Sequence, residues 1–136
     1  MFKAPQVIDD TQLARIAQFT ANLAQAAGTY DLCTASAGLI IDLNRLAMYM
    51  ATAGATLTSV SIQTNQTNAT TILSAAEGAV ANLTAQKNVV RAVPTIGNLY
   101  LAAGQKIQFT IVGATGTGSM LVTIPYVPVV AGARLS

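Results

Sequence analysis

Apolar and polar positions alternate most cleanly over residues 106–112, where Ile107, Phe109 and Ile111 interleave with Lys106, Gln108 and Thr110. That period of two predicts a strand with one buried face. Residues 113–118 are Gly-Ala-Thr-Gly-Thr-Gly, a turn composition. Residues 119–127 alternate again, with Met120, Val122, Ile124 and Tyr126 on one parity. Read locally, the two runs make an antiparallel hairpin. Pro125 and Pro128 suggest that its second strand lies at an edge or bends.

Upstream, residues 56–64 place Val60 and Ile62 opposite Ser59, Ser61 and Gln63. Residues 39–50 form a longer run whose alternation slips near 42–45, which predicts a bulge. Residues 30–35, 88–93 and 98–101 are shorter candidate strands. Residues 69–83 are ambiguous and are read as strand, turn, strand. The polar run 64–71 is read as a loop exposed at one end of the domain. The buried set expected from the strongest strands is Val60, Ile62, Ile107, Phe109, Ile111, Val122 and Ile124.

The N-terminal part reads differently. Leu13, Ile16, Phe19 and Leu23 recur at three, three and four, one face of a helix over residues 10–27. Asp9 or Asp10 caps it, Gln12 occupies the capping-box position, and Gly28 marks its C-terminal stop. Its apolar face packs on the parent domain or reaches a neighbouring subunit. Residues 1–8 form an extended arm. The expected organisation is an arm and helix over 1–28, then a β-rich domain over 29–136. About eight short strands with turn signals between them point to a mainly β fold. The expected form is an antiparallel β-sandwich, most plausibly a jelly roll, with one N-terminal helix.

Composition changes what such a domain can do. Hydrophobic residues make up 52% of the 136 and charged residues only 9%, against about 25% charged in ordinary domains. Faces with so little charge are expected to be covered by other subunits. The net charge of +2 is spread over seven separated cations, so no basic cluster exists to neutralise phosphates, and no nucleic-acid partner is expected. The uncharged stretch 107–133 is interrupted by glycine and proline and partly alternates, so it is not a membrane helix, and no membrane partner is expected. The first residues lack the apolar core of a signal peptide, which points to synthesis in a cytoplasm.

Candidate chemistry is sparse. The chain has no histidine, the commonest general base and metal ligand. A lone cysteine, Cys33, gives neither a zinc site nor an internal disulfide, and reads as a small buried residue. The carboxylates Asp9, Asp10, Asp31, Asp42 and Glu77 are dispersed. A glycosidase pair of Asp42 and Glu77 has no local support. Residues 113–118 lack the Lys-Ser/Thr ending and the helix of a phosphate loop. The Asn-x-Thr triplets at Asn65, Asn68 and Asn82 are chance matches in a threonine-rich chain. No catalytic residue, cofactor or metal is expected, and the chain does not read as an enzyme.

The runs 52–65, 73–85 and 104–113 carry a resemblance. Over roughly residues 30–130 the chain resembles the jelly-roll capsid cement, or decoration, proteins of tailed phages. The resemblance implies a virion protein on the outer surface of an icosahedral head, with the major capsid protein and a second copy of itself as partners. It implies no catalytic residues. The other reading is a receptor- or glycan-binding β-sandwich from a fibre or head appendage, weakened by the absence of Trp and by 5% aromatics. Two terminal segments stand out as partner contacts. Phe2, Pro5, Val7 and Ile8 in the arm, and Val127, Val129, Val130 and Leu135 in the tail, are apolar without a folding period. At least one of these segments is expected to dock on a neighbouring subunit, with strand addition to a sheet edge as one route; the alternative is that both fold back on their own domain.

Overall fold

The computed structural model describes residues 13–136, and every described strand is antiparallel to its partners. In chain order the strands are β1 (Arg15–Asn22), β2 (Gly28–Thr34), β3 (Leu39–Asp42), β4 (Ala47–Thr64), β5 (Thr71–Leu73), β6 (Lys87–Asn88), β7 (Asn98–Leu101) and β8 (Lys106–Pro128). A 3-10 turn, Val80–Asn82, lies between β5 and β6. All eight strands belong to one hydrogen-bonded sheet.

β8 is its spine. One edge pairs with β2 from Lys106 to Ile111 and with β1 from Ser119 to Tyr126. The other pairs with β4 from Ile107 to Thr123 and with β3 from Tyr126 to Pro128. β7 extends the sheet beyond β3, while β5 and β6 pair along β4.

This spine is folded back on itself. A straight strand of 23 residues would span about 75 Å at about 3.3 Å per residue. Yet Pro128 and Leu101 both pair with Leu39, and a short turn joins Leu101 to Lys106, so the ends of β8 lie within about 30 Å. The bend falls where the β4–β8 register shifts repeatedly, between Met50 and Ser59. Gly113 and Gly118 have φ of +100° and +107° there, and Thr56 opposite has φ 66°. A Cβ at Gly118 would sit 2.6 Å from the Ala53 carbonyl oxygen, and one at Gly113 would sit 2.7 Å from the Thr58 nitrogen. Only glycine permits both the backbone angle and that approach.

Folding the ribbon in half turns one face of each half inward. Ile107, Phe109, Ile111, Val60 and Ile62 from one half join Met48, Met50, Met120, Val122 and Ile124 from the other in a single core. The whole buried set expected from alternation is in that core. Phe109 is also stacked on Tyr30, with ring centroids 5.5 Å apart.

Four expectations are corrected. Residues 15–22 are the strand β1, not helix, and the expected cap at residues 9–12 lies outside the described residues. The spacing of Leu13, Ile16, Phe19 and Leu23 was a coincidence of residue types. The actual period is two, with Ala17, Phe19 and Ala21 inward and Ile16, Gln18 and Thr20 outward. Pairing with β8 along its whole length outweighs a weak local propensity. Next, residues 106–112 and 119–127 do not pair with each other; both are parts of β8 and both pair with β4. Pro125 is tolerated inside this central strand because, on the β3–β4 side, it faces the interruption between Asp42 and Ala47. Third, only the first strand expected in 69–83 forms. Ser74 and Glu77 close a capping box instead, with the Ser74 amide donating to Glu77 Oε1 at 2.9 Å and the Glu77 amide to Ser74 Oγ at 3.2 Å. Last, of the run expected over 88–93 only Asn88 is strand, as the end of β6.

Candidate functional site: an uncharged sheet face

The outward faces of the folded ribbon differ. On the half containing β2, the exterior is polar. Lys106 Nζ lies 2.6 Å from Asp31 Oδ2, Gln108 Nε2 donates to Asp31 Oδ1 at 2.8 Å, and the hydroxyls of Thr29 and Thr110 bond at 2.9 Å. The hydrogen bonds from Gln108 and Lys106 hold the Asp31 carboxyl below the usual range.

The half containing β1, β3 and β7 is different. Ile16 pairs with Pro125, Val127 with Ile40, and Ile40 with Tyr100. These residues form an apolar row across four strands. Leu121 and Tyr49, paired with each other, extend it. Ile16 is 70% exposed and Tyr100 51%, so the row is open to solvent. Its polar members, Gln18, Thr20 and Thr123, are neutral. Beside the row, Asp42 shares the outward parity of Ile40 on β3 and is paired with Arg45 at 3.8 Å.

The tail joins this face at one end and closes onto its own domain at the other. Val127 is half-buried within the row, and Val129 and Val130 are 46% and 49% exposed beside it. Their amides both donate to the Gly38 carbonyl, at 2.9 and 3.1 Å. Beyond them the chain turns inward. Leu135 is buried and bridges to Ala35, while Ser136 and Thr34 exchange backbone hydrogen bonds of 3.0 and 2.8 Å. Phe2, Pro5, Val7 and Ile8 lie outside the described residues.

Pattern reading missed Ile16, Ile40, Tyr49, Tyr100, Leu121 and Pro125 as a surface, though a signal for it existed. In 106–112 the outward parity is Lys106, Gln108, Thr110 and, at its end, Val112, whereas in 119–127 it is Leu121, Thr123, Pro125 and Val127 beyond Ser119. That second run is apolar or neutral on both parities.

A smaller feature is the loop between β6 and β7. It exposes Val90, Val93 and Ile96 over a cavity of about 190 Å³ bordered by Leu43, Ile72, Glu77 and Arg91. Glu77 Oε2 accepts from the Ala92 amide, and Arg91 donates to the Leu43 carbonyl. Burial pushes the Glu77 carboxyl up, but the amides of Ser74 and Ala92, the Ser74 hydroxyl and the Arg91 charge hold it below its ordinary value. Glu77 and Arg91 thus both help to hold the loop. The polar run 64–71 also has a closing role. Gln66 Nε2 donates to the Tyr100 carbonyl at 2.8 Å and to Gln105 Oε1 at 2.9 Å, tying the end of β4 to the corner between β7 and β8.

Among the described residues there is no group of three His, Cys, Asp or Glu side chains placed to hold a metal, and no helix is long and apolar enough to cross a membrane. Cys33 is buried, and that burial pushes its thiol up to about 12, against a weaker opposing hydrogen bond from the Ile107 backbone. It is a core residue rather than a thiolate nucleophile.

No protein-family model matches the chain. No curated protein matches it in sequence. Among solved structures, the chain is similar to one in the acidic stable capsid structure of Helicobacter pylori bacteriophage KHP30, at 9% identity and a TM-score of 0.47, covering 91% of this chain and 93% of that one. It is also similar to a chain of the cyanophage Pam1 capsid asymmetric unit, at 15% identity and a TM-score of 0.44, covering 93% and 92% respectively. At these scores the likeness is a coarse one, and no property of those proteins is transferred to this chain.

Proposed function

We propose that this chain is a structural virion protein, without enzymatic activity, that binds the outer surface of an icosahedral phage head. There it bridges major capsid subunits and acts as a homodimer. In this reading the curled sheet is a jelly-roll variant. The observation that carries the proposal is the uncharged row Ile16, Pro125, Val127, Ile40 and Tyr100, presented on a rigid sheet. A contiguous apolar surface rimmed by polar residues is the mark of a protein contact. A standard stable interface needs about 800 Å² per partner, and a lattice of identical sites adds avidity to a weaker one. The resemblance of residues 30–130 to phage cement proteins supports the same reading. The test is co-sedimentation of the full chain with expanded, undecorated heads. Saturable binding at a fixed ratio to capsid subunits is expected, and no binding above background contradicts it.

One observation favours the second reading, a glycan-binding module: Tyr49 and Tyr100 are exposed on the same face. They stand on an open sheet, however, on β4 and β7, which are not neighbours in it. A glycan array separates the two readings.

A further inference from the structure

The two strands on the same side of β8 manage their outer edges differently. β2 carries a bulge between Asp31 and Cys33 and the Asp31–Lys106 ion pair. These are ordinary protections of a sheet edge. β1 has neither. Its register with β8 runs unbroken from Arg15↔Tyr126 to Asn22↔Ser119. No proline and no charge occurs from Ile16 to Tyr30. Among the described residues no strand pairs with its outer edge. An uncharged, regular edge of this kind is a template for another strand.

The groups it offers follow from one hydrogen bond. The Leu23 amide donates to the Gly118 carbonyl at 3.0 Å, in register with the β1–β8 ladder. Backbone groups point to alternate sides along a strand. The odd-numbered residues of β1 therefore face β8, and Ile16, Gln18, Thr20 and Asn22 direct their N–H and C=O groups outward. Asn22 agrees independently, because its carbonyl accepts from Gln25 Nε2 at 2.8 Å on that outer side. One acceptor is thus already used, at the end of the strand.

We propose that β1 of a second copy closes this edge, antiparallel across a two-fold axis through Gln18. The two Gln18 residues then exchange two backbone hydrogen bonds, and each Ile16–Thr20 pair exchanges two more. The neighbouring register, centred on Phe19, sets Ile16 against Asn22, whose carbonyl is occupied. Registers shifted by one residue set inward side chains against outward ones. An antiparallel strand paired with itself is self-complementary, as an isologous contact requires, and from Ile16 to Asn22 the edge carries no charge that would select a different partner. The pairing also joins two uncharged faces into one continuous surface. This inference rests on the proposed self-association and not on head binding.

The test uses the full chain with Gln18→Cys. Across the axis the two Cα atoms stand about 5.5 Å apart, within disulfide reach, and buried Cys33 does not compete. Under mild oxidation a covalent dimer is the expected main product, while Thr29→Cys on β2 gives at most a tenth as much. Gln18→Pro removes an N–H that faces the edge, not β8, so it should keep the parent melting temperature within a few degrees and sediment as a monomer. Gln18→Lys, which opposes two like charges across the axis, serves the same purpose should the proline variant misfold. No cross-link, or a dimer unchanged by both substitutions, overturns the proposal. So does a cross-link that appears only when residues 1–12 are removed, since those residues would then be what covers the edge. Head binding by the monomeric variants is scored separately: its retention leaves the capsid reading intact, and its loss together with dimerisation shows that the joined face is what binds.

Discussion

Residues 106–112 and 119–128 belong to one strand, yet they meet solvent with opposite chemistry. Inward, both halves present the same kind of surface: Ile107, Phe109 and Ile111 on one, Met120, Val122 and Ile124 on the other. Outward, the first half shows Lys106, Gln108 and Thr110, each bonded to a β2 side chain, with a lone exposed Val112 at its end, and the second shows Leu121, Thr123, Pro125 and Val127 with no charge among them. A fold needs only one apolar face per sheet. The first half meets that requirement and stops. The second carries a further apolar face that stability does not explain, which is why it, rather than any pocket, is the candidate site.

If the halves differ only outward, inward truncations on either should be costly. Phe109→Ala should lose about 3–5 kcal/mol and Ile124→Ala about 2–5 kcal/mol, through lost burial and the cavity left behind. Chemical denaturation measures both. An unaffected midpoint for either would mean that its half is not part of the common core.

The hinge between the halves comes next. Gly118→Ala places a Cβ at φ +107° and against the Ala53 carbonyl, so it should cost more than about 1 kcal/mol. A smaller loss would mean that the bend has another backbone route.

The polar half should respond to acid, and only weakly. The Asp31 carboxyl has its pKa lowered in the folded state. Its contribution is therefore present above the unfolded carboxylate range and lost as pH falls through the folded value. Asp31→Asn should flatten the acid limb of a stability–pH profile slightly and leave neutral-pH stability nearly unchanged, because the pair is exposed and screened. A large loss at neutral pH would contradict this. The same substitution should not alter binding by the opposite face.

Much of this was legible in the sequence. Period-two alternation located the core residues of β4 and β8 because one face of each is buried. The slip near 42–45 is visible in the pattern, but it is not a bulge in one run: it is a turn that splits 39–50 into β3 and the start of β4. What stayed hidden has a common cause. Residues 15–22 are too short a segment to decide between periods of two and 3.6 when Leu13, Ile16, Phe19 and Leu23 satisfy one and Ala17, Phe19 and Ala21 the other. Gly113 and Gly118 signal a change of backbone direction, but a local pattern does not tell a hairpin turn from a bend in a strand paired elsewhere. The uncharged face is built from β1, β3, β7 and β8, which are far apart in sequence. Each contributes one or two apolar residues that look incidental until the register places them side by side. The tail was legible in composition but not in destination, since Val129 and Val130 stay exposed while Leu135 returns to the core.

The central claim is that the uncharged face contacts the head and the polar face does not. The direct measurement is co-sedimentation with undecorated heads of two matched full-length variants, Tyr100→Glu on the first face and Gln63→Glu on the second. Both positions lie on outward sheet faces, so both proteins should melt close to the parent. The account predicts at least a tenfold loss of head affinity for Tyr100→Glu and parental affinity for Gln63→Glu. Equal affinities for the two variants, or a loss confined to Gln63→Glu, would contradict it.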